Sequence, residues 1–183
     1  MNLITGATGH IGNVLVRMLV QRGENVRAMI MPGEDATPLK DLKVEIIEAD
    51  VLDYQSLLKA FDRCEVVYHL AGIISILPGK DHMLQAVNVI GTRNVIQAAR
   101  ACGVRRLVYT SSIHALRRVP EGVLIDENVP FDIEHAISSY DSSKANASLE
   151  ILKAVHEGMD AVIVCPTGVI GPYDFRRSEM GQL

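Results

Sequence analysis

The chain has 183 residues, 48% of them hydrophobic and 22% charged, enough apolar material for one domain with a buried core. A net charge of −4 gives no basic face for a nucleic-acid partner, and the arginine pairs Arg105-Arg106, Arg117-Arg118 and Arg176-Arg177 are scattered among acids such as Glu121 and Glu179. Cys64, Cys102 and Cys165 are odd in number and widely spaced, which reads as reduced thiols inside a cell, and no metal-ligand spacing joins them to the six histidines, so no metal is expected.

The first strand is predicted over residues 2–5 and runs into Gly6-Ala7-Thr8-Gly9-His10-Ile11-Gly12. A helix follows over 11–22, where Ile11, Val14, Leu15, Met18 and Leu19 recur at helical spacing. Glycines at a strand-to-helix turn mark a phosphate site: Gly6 permits the turn, Gly9 lets backbone approach an anion, and Gly12 lets the helix lie close on the strand. Because a strand begins almost at once and no uncharged apolar run reaches membrane-spanning length, the expectation is a cytoplasmic protein with no signal peptide and no membrane partner.

Strands at 25–30 and 43–48, a helix at 54–61, a strand at 65–70, a helix at 81–101, a strand at 106–110, a helix at 139–157 and a strand at 160–165 complete the alternation. Six strands that read as apolar runs predict an α/β fold, a doubly wound parallel sheet covered by helices on both faces. Gly23, Gly103 and Gly158 each stand where a helix ends before a strand, the C-cap position. Residues 113–137, with Pro120, Gly122 and Pro130, form a connection long enough to carry function at a strand end. The tail from Pro166, with Gly168, Gly171, Pro172 and Gly181, shows no further strand.

Tyr140 and Lys144 lie four apart on one predicted helix face. An ammonium beside a phenol lowers the phenol's pKa by roughly 1–3 units, enough for proton exchange with a substrate oxygen. Residues 106–112, Arg-Leu-Val-Tyr-Thr-Ser-Ser, end a buried strand in hydroxyls at the edge where parallel sheets present ligands.

Seven ordered motifs now stand together: Thr5-Gly6-x-x-Gly9-x-x-Gly12, Asp50-Val51-x-Asp53, His69-Leu70-Ala71-Gly72, Asn88-Val89-x-Gly91-Thr92-x-Asn94-Val95, Thr110-Ser111-Ser112, Tyr140-x-x-x-Lys144 and Pro166-Thr167-x-Val169-x-Gly171-Pro172. Through them the chain resembles, over its whole length, the extended short-chain dehydrogenase/reductases, the NAD-dependent epimerase/dehydratase family. The resemblance implies a Rossmann-type NAD(P)-binding domain over 1–165, with 166–183 the start of a substrate-binding region that is otherwise missing. It implies Tyr140 as acid/base, Lys144 as its pKa modulator and ligand of the nicotinamide ribose, and Ser112 as the hydroxyl that positions the reacting oxygen. Asn88 matches the support of a proton relay through the lysine; as a helix residue bonding nearby backbone it has a second reading.

For the cofactor, the resemblance implies a cradle of Gly6, Thr8, Gly9, His10, Ile11 and Gly12. Met31 ends the second strand; Asp50 and Val51 match an adenine contact. Leu70, Ala71 and Gly72 flank the adenosine half, and Pro166 and Val169 border the nicotinamide beside Tyr140 and Lys144. His69 and His114 read as structural. The choice between NAD and NADP stays open, because Met31 stands where NAD-preferring relatives carry an acid and NADP-preferring ones an arginine. Glu34 and Asp35 lie slightly further on, and Arg27 falls too early in its strand.

The segments Ser111-Ser112-Ile113-His114-Ala115-Leu116 and Gly171-Pro172-Tyr173-Asp174-Phe175 look closer to the dihydroflavonol-reductase-like branch than to sugar-nucleotide epimerases. The expected function is NAD(P)-dependent oxidoreduction of a ketone or secondary alcohol by a Ser-Tyr-Lys mechanism. The alternatives are a nucleotide-sugar epimerase or dehydratase using transient hydride transfer, and a dinucleotide-binding sensor without turnover. A small-molecule substrate would be held by 73–81 and 113–137. The resemblance also suggests a homodimer through the helices at 81–101 and 139–157, where Met83, Leu84, Val87 and Ile90 occupy more than one side.

Overall fold

The structure, a computed structural model, describes residues 1–75 and 79–175. Residues 76–78 of the expected substrate-pocket stretch, and 176–183 with Arg176, Arg177 and Gly181, lie outside the described residues.

Six strands, β1 (Asn2–Thr5), β2 (Val26–Ile30), β3 (Glu45–Glu48), β4 (Val66–His69), β5 (Arg106–Thr110) and β6 (Ala161–Val164), pair in parallel in the order β3-β2-β1-β4-β5-β6. The order reverses between β1 and β4, which opens a crevice at their carboxyl ends. The main helices are α1 (His10–Gln21), α2 (Tyr54–Phe61), α3 (Asp81–Leu84), α4 (Gly91–Ala101) and α5 (Ser139–His156). The single helix expected over 81–101 is instead three pieces, because Gln85–Ile90 between α3 and α4 winds as a π-helix. From β2 the chain reaches β3 through only a short 3₁₀ turn at Thr37–Leu39, with Leu39 inserted in the core.

β1 splits its side chains between two cores. Leu3 packs with Val67, Leu107 and Tyr109 beneath α2, α4 and α5, where Ala98, Ala99, Ala147 and Ala154 let the helices approach closely. Ile4 packs with Ala28 and Ile30 beneath Val16 and Leu19 of α1. Both faces of β1 are apolar, so hydrophobic alternation cannot fix its register; a one-residue slip exchanges one apolar side chain for another. The polar residue at its end does so: the Thr5 hydroxyl accepts from the Leu70 and Ala71 amides beyond β4, at 3.1 and 3.0 Å.

The expected cover on both faces is incomplete. On the α1 side the described residues put only α1 and the 3₁₀ turn over β1 and β2, so Val162 and Val164 of β6 remain 44% and 47% exposed. Helix ends follow the predicted chemistry, with Gly23, Gly103 and Gly158 at φ +78°, +66° and +94°. The 113–137 connection is held by a bridge between Leu116 and Phe131 and by Asp132, which accepts from His135 and lies near Arg117. Of the apolar residues expected at an outer helix face, Met83 and Ile90 are about half exposed, whereas Leu84 is fully buried. Leu84 therefore belongs to the core.

Candidate active site

The site is built from the carboxyl ends of the strands. At the end of β1, Gly6 has φ +66°, and a Cβ there would stand 2.8 Å from the Ala71 amide nitrogen, so turn geometry and the neighbouring strand both demand glycine. A Cβ on Gly12 would meet the Gly6 carbonyl oxygen at 2.2 Å. Gly12 thus lets α1 start against the preceding turn, a closer contact than the strand packing expected of it. Gly9 has only one near neighbour, the Gly6 oxygen at 3.3 Å, and its open side is the approach to the turn. Gly9 caps α1 with no side-chain hydrogen bond, and the first turn carries no acid. The N–H groups of His10, Ile11 and Gly12 therefore stand open to an anion, and these residues fit the pyrophosphate of a dinucleotide. Thr8 is buried and donates its hydroxyl to Glu34, while Met31 at the end of β2 is exposed.

The floor is the β1–β4 junction. Thr5 accepts from the Leu70 and Ala71 amides, so its own proton goes to Nδ1 of His69 at 2.9 Å. The His69 Nε2 proton then faces the Thr92 hydroxyl at 3.0 Å, and Thr92 donates to the Asn88 carbonyl at 2.6 Å. Each donor meets an acceptor only if the imidazole is neutral, and burial pushes the His69 pKa down to about 3. Beyond β3, Asp50 accepts from the Leu52 amide, and the Val51 carbonyl accepts from Asn94. A Cβ on Gly91 would lie 2.7 Å from Val51, so α4 depends on that glycine to reach this turn.

Ser112, Tyr140 and Lys144 come together at the end of β5 and the start of α5. Ser138 caps α5 by accepting from the Asp141 amide and donating to its carboxylate, which sets Tyr140 and Lys144 in the first two turns. Ser112 caps the short turn after β5 by accepting from the His114 amide, and it lies near enough to Tyr140 to favour the phenolate. Tyr140 and Lys144 are 8% and 6% exposed, too dry for either charge to be well solvated. Lys144 donates to the Thr110 carbonyl at 2.9 Å and lies 5.2 Å from the Tyr109 ring centroid. Burial lowers its pKa to about 8.

The Tyr140 pKa is raised, by burial first, with Ser112 opposing and Asp141 reinforcing. This corrects the expected lowering by Lys144. The ammonium is turned onto Thr110, and dehydration of the phenolate dominates. Asn88, on the π-helix, accepts from the Ile73 amide at 2.8 Å and donates to the Ile73 carbonyl and to Ser143 Oγ at 3.0 and 2.9 Å. Its backbone bonding reaches across the site to β4's exit. A Cβ on Gly72 would come within 3.1 Å of Asn88 Oδ1 and 3.5 Å of Lys144 Nζ, so these three residues share one small space.

Pro166 and Val169 follow β6, where the Pro166 carbonyl accepts from the Ile113 amide. Ser111 faces Ser148, away from the reactive set. One partner escaped the sequence reading, the Thr110 carbonyl, which carries no side-chain signal. His114, read as structural, sits edge-on to Tyr140 with its ring centroid 6.5 Å away. Among the described residues no cluster of His, Cys, Asp or Glu could hold a metal ion, and no helix is long and apolar enough to cross a membrane.

A glycine turn open to an anion and the cluster of Ser112, Tyr140 and Lys144 stand on one edge of a parallel sheet. The chain belongs to the NAD dependent epimerase/dehydratase family, whose model matches residues 2–183. It is 40% identical over 180 residues to sterol demethylase protein B of Methylococcus capsulatus, covering 98% of this chain and 55% of that protein. A dihydroflavonol 4-reductase-like protein of Synechocystis sp. is 34% identical over 180 residues, 98% of this chain and 52% of its own length. The solved UDP-glucose 4-epimerase of Thermus thermophilus in complex with NAD superposes with a TM-score of 0.85 at 28% identity, over 98% of this chain and 59% of that one. The chain spans about half the length of the curated relatives it matches.

Proposed function

We propose that this chain is the cofactor-binding and proton-transferring part of a reductase that acts on a ketone attached to an apolar scaffold. The observation that carries the reading is the convergence of Ser112, Tyr140 and Lys144, with Asn88 behind them, at the sheet edge facing the glycine turn. A nicotinamide dinucleotide, NAD or NADP, supplies the hydride when bound. Tyr140, held protonated at neutral pH by its raised pKa, donates the proton to the oxygen that becomes the alcohol. Ser112 donates to the same region and orients it. Lys144 would hold the ribose hydroxyls of the bound dinucleotide from its place beside the Thr110 carbonyl.

Ile74, Ile137 and Ile170 are 73%, 69% and 80% exposed at the exits of β4 and β6 and the entry to α5, which suits an apolar substrate. The names of the sterol demethylase protein B and reductase-like relatives are in keeping with this. Epimerisation of a nucleotide sugar is the second reading. It is favoured by the epimerase superposition and uses the same residues with the hydride returned to the substrate.

The test is kinetic, in a protein extended to the length of its relatives. Tyr140→Phe should keep dinucleotide affinity within about twofold and lose roughly 10²–10⁴ in turnover, whereas Lys144→Met should weaken both. Near-normal turnover in Tyr140→Phe would reject the acid assignment and favour a binding role without chemistry.

A further inference from the structure

Lys144 is buried, and the ionisable groups that face it from other elements are uncharged near neutral pH. His69, at the end of β4, is held neutral by burial, with its pKa at about 3. Burial raises the Cys165 thiol beyond β6 and the Tyr109 phenol on β5, as it raises Tyr140 on α5 itself. The Asp141 carboxylate, in the turn before Lys144, accepts from the Ser138 hydroxyl and lies 3.7 Å from His114 Nδ1. Among the described residues, then, no acid pairs with the Lys144 ammonium.

Two consecutive residues of β5 meet it instead. The Thr110 carbonyl accepts from Nζ at 2.9 Å, and Nζ stands over the Tyr109 ring, 5.2 Å from its centroid. Tyr109 is 1% exposed and belongs to the core that includes Ala147 and Ile151 of α5. His69, opposite it in the β4–β5 register, braces the ring with a centroid 5.5 Å away. The ring therefore has a fixed place.

We propose that Tyr109 is a positioning residue for Lys144, its ring face and the Thr110 carbonyl forming one seat that holds the ammonium charged while leaving two of its N–H groups for a ligand. The assignment rests on the dinucleotide reading of the site, in which that ligand is the nicotinamide ribose. The negative face of an aromatic ring attracts a cation, and most strongly where water is excluded. An ammonium has three donors, of which Thr110 takes one. A carboxylate at the place of the ring would attract the charge but would also take up donors that the ribose hydroxyls need. An aromatic face stabilises the charge without that competition.

The experiment uses the 183-residue chain with its lysines labelled at Cε, the Lys144 NMR signal being the one lost in Lys144→Met. Tyr109 is replaced by phenylalanine, and then site-specifically by mono-, di- and trifluorinated phenylalanine, which keep the ring's size and drain its negative face. The Lys144 titration should stay near that of wild type in Tyr109→Phe and fall stepwise along the fluorinated series, by roughly one pH unit at its end. NADH, followed by nicotinamide fluorescence, should bind the wild-type and trifluorinated chains within about twofold of each other near pH 6.5 and about fivefold apart near pH 8, where the weakened ammonium has lost its proton. A role in packing alone would change affinity equally at both pH values. A Lys144 titration that ignores fluorination, or a loss of affinity that is the same at both pH values, would overturn the seat. If the titration moves as expected but neither NADH nor NADPH binds any of the chains, the seat stands and the dinucleotide reading fails.

Discussion

Lowering the pH should unfold this protein from its sheet centre. His69 is fully buried between Thr5 and Thr92 and is neutral in the native state, with its pKa depressed from 6.5 to about 3. In the unfolded chain the same imidazole takes a proton below its ordinary pKa, so between these two values the unfolded state binds one proton more than the native state. The contribution is fully present above the unfolded value and is lost as pH falls towards the folded one. The slope is about 1.4 kcal/mol per pH unit, so going from about pH 6.5 to about pH 5 removes on the order of 2 kcal/mol. That is a large fraction of a typical domain's stability. Asp35 and Asp132, whose pKa values are lowered by hydrogen bonds from Thr37 and His135, are lost only at lower pH and leave this window to the histidine. Urea unfolding across the window measures the slope, and the imidazole's NMR shifts should report a neutral ring down to about pH 4. His69→Gln should be less stable near neutrality and flatter with pH. A wild-type stability that does not change across the window, or a His69→Gln protein as steep as wild type, would refute the buried neutral relay.

Two further outcomes separate cradle from scaffold. Gly9→Val should remain folded, because its Cβ would meet only the Gly6 oxygen at 3.3 Å, yet it should lose dinucleotide binding; Gly12→Val should lose stability as well, since its Cβ would sit 2.2 Å from that oxygen. Thermal unfolding and NADH titration of both variants distinguish the two effects. The helices at 81–101 and 139–157 are proposed as a homodimer face, with Met83 and Ile90 exposed and the pairs Arg93–Glu150 and Arg100–Glu157 on the outer surface of α4 and α5. Sedimentation at tens of micromolar should show a dimer that Ile90→Glu weakens by about tenfold or more, and a monomer at that concentration would reject the face.

What could be read from sequence was whatever declares itself locally. Gly6, Gly9 and Gly12 lie between a strand and a helix, and Gly23, Gly103 and Gly158 end helices in the left-handed region, so the turn and the helix ends were legible. Tyr140 and Lys144 were legible as a pair because helical spacing fixes their common face. What stayed hidden depends on backbone groups and on contacts between distant elements. The π-helix at Gln85–Ile90 has no local signature, and neither does the Thr110 carbonyl that takes the Lys144 ammonium. Glu34 could be named but not placed, since its position depends on a loop folding back onto the Met31 amide. Apolar runs in β6 suggested cover on both faces, but among the described residues Val162 and Val164 stay about half exposed.

The π-helix and the histidine relay belong to one device. A π-helical turn leaves a carbonyl poorly matched to the helix ladder, and here the Asn88 carbonyl is taken by Thr92, which is itself held by His69 and so by the end of β1. The Asn88 side chain reaches the other way, to Ile73 and through Ser143 to the Tyr140 carbonyl. The end of β1 and the first turn of α5 are thereby linked through direct side-chain and backbone hydrogen bonds. Such a link fixes where Tyr140 and Lys144 stand, and the dryness that fixes them also sets their charge states. It raises the phenol and lowers the ammonium, so Tyr140 rests protonated near neutrality while Lys144 gives up its proton more readily than an exposed lysine.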